Sequence, residues 1–318
     1  MAFDRRSLGE GDPQFMKKAE IRKSYIFDKY AIIAPGRVAR PHDNKKNKNN
    51  PNCPFCKNNL KAHKILKTIT TKDGNKVTAI RNEFPVVSEN NSKAYGEQEV
   101  IIESSRHTQQ MADMDLEQIT AILKMYISRS KIIAKNKKIK YISCFKNQGV
   151  SAGASLLHPH SQIFATNIIT PDVKEELEAL KKYTKHNKRC AYCDIIKEEL
   201  QNNCLVFNDK NIIAFTPHAS EYPYELWIFS QRHISSITEL KLSELKSLAQ
   251  VIKMACQKLK KLKLDFNYFL HDVINENKQH FYIKIEPRGG VWAGIELGSG
   301  IAIDQVDPEE AAKYYQKK

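Results

Sequence analysis

The sequence has no run approaching the roughly 18–20 consecutive apolar residues that a membrane-spanning helix requires. Its opening stretch, MAFDRRSLGEGDPQF, lacks the apolar core of a secretion signal. These two absences argue against a helical membrane protein and a secreted one, and the expected compartment is the cytoplasm. Residues 1–22 are expected to be a leader with little fixed structure. Acidic residues are in deficit, 36 Asp and Glu against 51 Lys and Arg, for a formal charge of +15. A positive balance invites a nucleic-acid reading. The lysines, however, are scattered, and the densest run, Asp43–Asn50, is so rich in Asn that it suits a solvated loop. Phosphate-bearing small substrates account for a positive surface as well, so nucleic acid is not the expected partner.

A disulfide framework is also missing. The seven cysteines are an odd number in a chain without a secretion signal, and four of them form two C-x-x-C pairs. That pattern points to metal or redox chemistry. With 41% hydrophobic and 9% aromatic residues, the chain has enough apolar material for a globular core.

What is present is a doubled order of ligand types. Cys53-Pro-Phe-Cys56 is followed by His107 and His158, each 51 residues after the preceding member. Cys190-Ala-Tyr-Cys193 is followed by His233 after 40 residues and His280 after a further 47. Two thiols three positions apart, completed by two distant histidines, suit a closed tetrahedral zinc site. The repeat therefore predicts two structural zinc sites per chain. Spacing alone does not single out these histidines, because His186, His218 and His271 also lie in the second half.

Hydrophobic patterning agrees with a duplication. In the first half, strands are predicted at Ser24–Pro35, Glu99–Ser104, Lys140–Phe145 and Ser161–Ala165, with a helix over Asp115–Asn136. In the second, strands are predicted at Cys204–Phe207, Ile212–Thr216, Tyr224–Ser230 and Phe281–Ile285, with a helix over Leu242–Leu262. Pro171–Arg189 is expected to be a helical linker and Pro308–Lys318 a last helix. The predicted fold is α+β: two duplicated halves, 23–170 and 171–318, of mostly antiparallel sheet with one long helix each.

The most informative segment runs from Phe145 to Gln162, FKNQGVSAGASLLHPHSQ. Its Gly and Ser residues let backbone approach phosphate oxygens. Strand alternation puts His158 and His160 on one side, where one can face a metal and the other a substrate. A neutral imidazole is a good nucleophile near neutral pH, and attack on phosphorus would split a transfer into two steps. The alternative is a pair of satisfied histidines at a turn.

The run HPHSQ, preceded by FKNQG and GAS, resembles the active-site motif of the galactose-1-phosphate uridylyltransferase family, within the histidine-triad superfamily. Asp28–Pro41, the segment Arg81-Asn82-Glu83-Phe84-Pro85, Glu99–His107 and Ala293–Gly300 resemble further family motifs. The resemblance implies that His160 is the nucleophile that takes up a nucleoside monophosphate. It implies that Gln162, Ser155, Asn147 and the Gly149 backbone meet the phosphoryl oxygens, with Ser161 as a further hydroxyl or merely a small residue. It places Arg37, Arg40 and Asn82 toward the nucleotide and Glu296 toward the sugar phosphate. It gives the first zinc to Cys53, Cys56, His107 and His158. The expected partners are a nucleotide-sugar and a sugar 1-phosphate or phosphate, and a homodimer is expected.

The chain also departs from the family. Ser161 stands where bacterial members have Gly, and Tyr282 and Lys284 replace a His-x-His pair. Cys190, Cys193, His233 and His280 instead resemble the second zinc site of ADP-glucose phosphorylases, as does Tyr222–Trp227. The leading expectation is uridylyl transfer from UDP-glucose to a hexose 1-phosphate. The alternatives are adenylyl transfer from ADP-glucose to phosphate, or a zinc protein that only binds nucleotides or nucleic acid. Because His158 matches His280, His160 matches Tyr282, so one active centre per chain is expected.

Overall fold

A computed structural model describes residues 18–23, 29–34, 52–272, 276 and 279–317. Ten strands form one antiparallel sheet: β3 (Ile65–Thr70), β4 (Lys76–Arg81), β5 (Gly96–Ile102), β6 (Tyr141–Gln148), β7 (His160–Thr166), β8 (Leu205–Asn208), β9 (Ile212–Phe215), β10 (Leu226–Ser230), β11 (Phe266–His271) and β12 (Tyr282–Pro287). Two further strands, β1 (Glu20–Lys23) and β2 (Tyr30–Ile33), pair with each other and, among the described residues, with no other strand. The predicted leader thus reaches into a strand. The strand predicted over Ser24–Pro35 is seen as Tyr30–Ile33, and its first residues, 24–28, lie outside the described ones.

The spatial order β3-β4-β5-β7-β6-β11-β12-β10-β9-β8 makes the duplication visible. Outward from the β6–β11 joint, each half lists its strands in the same order: fourth, fifth, third, second, first. Ile102 faces His160 across β5 and β7, as Phe229 faces Tyr282 across β10 and β12. The two copies therefore agree residue by residue at the strands that begin with His160 and Tyr282.

Two long helices cover one face. In α1 (Leu116–Ile133), Asp115 caps the N-terminus by accepting from the Gln118 N–H at 2.7 Å, and Ile119, Ile122, Leu123 and Tyr126 recur at helical spacing and are buried. In α4 (Leu242–Lys261), Leu245, Leu248, Ile252 and Leu259 do the same. The helices touch each other and share one core with β4–β7 and β9–β12. At roughly 1.5–3 kcal/mol per large apolar side chain buried, this core dominates the stabilisation.

The other face carries smaller apolar clusters, one of them, Tyr141 with Val173 and Leu177, joining β6 to the chain that follows β7, and one more in each half. That of the first half gathers Cys53, Phe55, Ile80, Val100, Ile102 and Leu156. That of the second half gathers Leu180, Tyr192, Ile196, Ile213, Phe215, Phe229 and Tyr282. Helices α2 (Pro171–Asn187) and α3 (Ala191–Glu199) cover this last cluster, while α5 (Gly294–Ser299) and α6 (Pro308–Gln316) end the chain.

Candidate functional site

The loop that ends at Pro159 leads directly into β7, and pleating decides where each side chain points. His160 and Gln162 face the loop-covered side of the sheet. Ser161, only 1% exposed, faces the helices together with Ile163 and Ala165. That placement separates Ser161 from the other predicted phosphate-facing residues.

His158 lies just before the strand, fully buried. Its Nε2–H donates to the Ser104 carbonyl at 2.8 Å, which leaves Nδ1 toward Cys53 and Cys56, at 3.7 and 3.6 Å from their Sγ atoms. His107 Nδ1 lies 3.4 Å from Cys56 Sγ. In the second half, His233 and His280 present Nδ1 at 3.4 and 3.6 Å from Cys193 Sγ, and the His280 Nε2–H donates to the Ser230 carbonyl at 2.9 Å. The ligand atoms of each group all lie within 4.8 Å of one another. A tetrahedron with Zn–S of about 2.3 Å and Zn–N of about 2.0–2.1 Å has S···N edges of about 3.5–3.6 Å, so both groups fit zinc in size and chemistry. The carbonyl partner on the far nitrogen of each buried histidine is the usual orienting contact of a metal-bound imidazole. Burial pushes the Cys53 thiol up to about 12, so it needs a cation to hold it as thiolate.

His160 Nδ1 donates to the His158 carbonyl at 2.8 Å, which puts the ring's lone pair on Nε2. The Phe55 ring packs 5.2 Å from the imidazole. Beneath the strand, the buried Lys146 Nζ bridges Glu103 Oε2 at 2.6 Å and the His160 carbonyl at 3.1 Å. The backbone of His160 is thus held from below and its ring from behind.

Two clefts meet at this ring. One, of about 570 Å³ and open to solvent, is lined by Phe55, Ile80, Asn82, Phe84, Val100 and Gln162. The other, of about 440 Å³, is lined by Asn147, Gly149, Val150, Ala154 and Leu157. Ser155 and His160 line both. The Val86 N–H donates to Gln98 Oε1 at 3.0 Å, so the Gln98 amide nitrogen faces Gln162 Oε1, at 2.9 Å. Asn82 Nδ2 donates to the same oxygen at 3.4 Å. The carbonyl end of Gln162 is thereby engaged, and its NH₂ is the end available to a ligand.

Gly149 has φ +86°, and a Cβ there would stand 1.8 Å from Asp265 Oδ1. Asp265, from the second half, also accepts the Ser151 N–H at 2.8 Å and so closes the 149–155 loop. The structure thus brings together His160, Gln162, Asn82, Asn147, Gly149 and Ser155. Glu296 instead caps its own helix through the Ala293 N–H at 3.0 Å and lines neither cleft. Arg37 and Arg40 lie outside the described residues. Phe55, Gln98, Asp265 and the Lys146–Glu103 pair were not singled out from sequence; Phe55 was the most legible, inside the C-x-x-C.

The second half keeps the metal group and fills the cleft. Tyr192 stands in the place of Phe55, Trp227 of Val100, and Tyr282 of His160. Tyr282 packs on Phe229 at 4.8 Å and on His271 at 4.2 Å. The Gln98–Gln162 pair becomes Glu225–Lys284, at 3.4 Å. Burial opposes charge on Lys284, but the carboxylates of Glu225 and Glu286 more than offset it and raise its pKa.

Known proteins share this architecture. Residues 33–170 match the family model described as galactose-1-phosphate uridyl transferase, N-terminal domain. An ADP-glucose phosphorylase of Arabidopsis thaliana is 31% identical, over 97% of this chain and 95% of the relative. A galactose-1-phosphate uridylyltransferase of Thermotoga maritima is 27% identical, over 92% and 96%. The crystal structure of the Arabidopsis ADP-glucose phosphorylase with bound ADP-glucose has a TM-score of 0.77 at 30% identity, covering 95% of this chain and 99% of that one. By this likeness over nearly its whole length, the chain belongs to the galactose-1-phosphate uridylyltransferase family of nucleotidyltransferases.

Proposed function

We propose that the protein transfers a nucleoside monophosphate from a nucleoside diphosphate hexose by way of a covalent bond to His160. The observation that carries this reading is the 2.8 Å hydrogen bond from His160 Nδ1 to the His158 carbonyl, which directs the Nε2 lone pair to the junction of the two clefts. Nε2 attacks the α-phosphorus; the N–P bond forms as the P–O bond to the sugar phosphate breaks, and a hexose 1-phosphate leaves. The His158 carbonyl shares the positive charge that develops on the ring. An oxygen of the acceptor phosphate then attacks the same phosphorus, the N–P bond breaks, and the imidazole returns neutral. Gln162 and Asn147, with the Gly149 backbone and Ser155, donate to the phosphoryl oxygens where charge grows. The cleft of Phe55, Phe84 and Asn82 takes the nucleoside. Zinc held by Cys53, Cys56, His107 and His158 serves structure, fixing the carbonyl that orients His160. A second zinc, on Cys190, Cys193, His233 and His280, fastens the other half.

As donor we place ADP-glucose first, reversing the order expected from sequence. The support is the 31% identity over nearly the full chain with an ADP-glucose phosphorylase, together with the second Cys₂His₂ group. UDP-glucose with a hexose 1-phosphate acceptor is the second reading, supported by the Thermotoga relative. Incubation with each labelled sugar nucleotide tests both: an acid-labile, base-stable adduct with one of them is expected, and none with either would refute the covalent route. A homodimer belongs to the same proposal. Val291 and Leu297, 94% and 73% exposed, flank Glu296 on a segment that lines neither cleft, which suits contact with a second copy. Sedimentation at the mass of one chain across micromolar concentrations would contradict it.

A further inference from the structure

The oxygen and NH₂ ends of a side-chain amide are nearly alike in shape but opposite in hydrogen bonding, so its neighbours decide which end faces where. Across the β6–β11 joint, Asn147 and Asn267 are register partners. Asn267 Nδ2 donates to Asn147 Oδ1 at 2.8 Å and to the Ala152 carbonyl at 2.9 Å. Behind Asn267 stands Arg288, whose Nε donates to Asn267 Oδ1 at 2.5 Å. Arg288 is itself held by Glu286 at 3.3 Å and lies 4.5 Å from the Tyr222 ring centroid.

A guanidinium has only donors and keeps its charge at any working pH. The end of Asn267 facing it must therefore be oxygen, and the other end nitrogen. That nitrogen demands oxygen from Asn147, so the Asn147 NH₂ is turned away from the joint. It faces the 149–155 loop, where a Cβ on Gly153 would stand 3.9 Å from Asn147 Nδ2. We infer that Arg288 and Asn267 are positioning residues: a cation in the second half sets the polarity of two amides in series, so that Asn147 meets the phosphoryl group as a donor. The inference rests on the nucleotidyl-transfer reading, and it gives the second half a task in the first half's chemistry.

The isosteric substitution Asn267→Asp tests it. The carboxylate accepts from Arg288 but has no proton for Asn147 Oδ1, so Asn147 turns its oxygen to the phosphate. Binding of ADP-glucose and UDP-glucose, measured by calorimetry, is expected to weaken by roughly ten- to a hundredfold for the sugar nucleotide that the wild type binds. In an Asn147→Ala background the same substitution should change binding by less than about twofold, because the two residues act in one chain. Unchanged binding in Asn267→Asp, or an equal loss in both backgrounds, overturns the relay. If Asn267→Asp does not fold, Arg288→Lys, which still only donates, should retain binding that Arg288→Met loses; equal losses overturn it. Wild-type protein that binds a sugar nucleotide without forming an adduct sinks the covalent reading while leaving the relay to be judged by binding. Wild-type protein that binds neither overturns both.

Discussion

At the scale of single residues, the site depends on a few positions where geometry leaves no alternative. Gly149 is one. Alanine there meets both the left-handed backbone, which costs about 1–2 kcal/mol, and the Asp265 carboxylate. Gly149→Ala should lower the melting temperature and lower nucleotidylation further, and pairing it with Asp265→Ala should recover only part of the stability. The Lys146–Glu103 pair is another, with side chains 1% and 0% exposed. Lys146→Met strands a buried carboxylate and should cost about 3–5 kcal/mol in urea unfolding, with much of the loss recovered in Lys146→Met/Glu103→Gln. The nucleophile candidate and the eight candidate metal ligands were named from sequence because cysteine and histidine carry their chemistry in residue type and recur in the same order twice, with the family resemblance choosing among the histidines. Gln98, Asp265, Asn267 and Arg288 were not. They are ordinary polar residues whose importance comes from the partner across a strand, and pairing between distant strands leaves no local trace.

At the scale of elements, the strongly patterned segments were readable and the weakly patterned ones were not. Helices α1 and α4 match their predicted spans within a few residues, because a dozen or more positions repeat the same apolar face. Strands β3 and β4, the short helix α3 after Cys190 and strand β11 were missed. β3 is an edge strand with exposed residues along most of its length, and β11 is six residues whose assignment is settled only by pairing with β6 and β12. Strand β12 shows what duplication allows. It keeps the zinc-type histidine before it and begins with Tyr282, 3% exposed, in the place of His160. Restoring the histidine alone should not restore chemistry, because Tyr192, Phe215, Trp227 and Phe229 fill the cleft. Tyr282→His in a His160→Ala background is expected to take up no nucleotide, and an adduct on residue 282 by mass mapping would show that the second cleft opens.

At the scale of the whole molecule, two metal groups and one reaction centre should separate cleanly. Metal analysis is expected to give two zinc ions per chain. Cys53→Ser should lose one together with adduct formation, whereas Cys190→Ser should lose one and keep adduct formation. Stability should also carry a pH signature. Burial pushes the Asp272 carboxyl from 3.8 up to about 7, despite hydrogen bonds from the Ile237 N–H and Ser236. Between about pH 4 and 7 the folded chain holds a proton that the unfolded chain has released, so stability falls as pH rises through that window and levels off above it. Asp272→Asn should remove this part of the slope in unfolding curves compared at pH 5, 6 and 7; an unaltered slope would place the carboxyl's titration elsewhere. The central claim is covalent capture of a nucleotide by His160, and intact-mass spectrometry tests it most directly. Wild-type protein incubated with ADP-glucose or UDP-glucose should gain one nucleoside monophosphate per chain, lost in acid, mapped to His160 and absent from His160→Ala. An unmodified wild-type mass with both donors, or the same gain in His160→Ala, would contradict it.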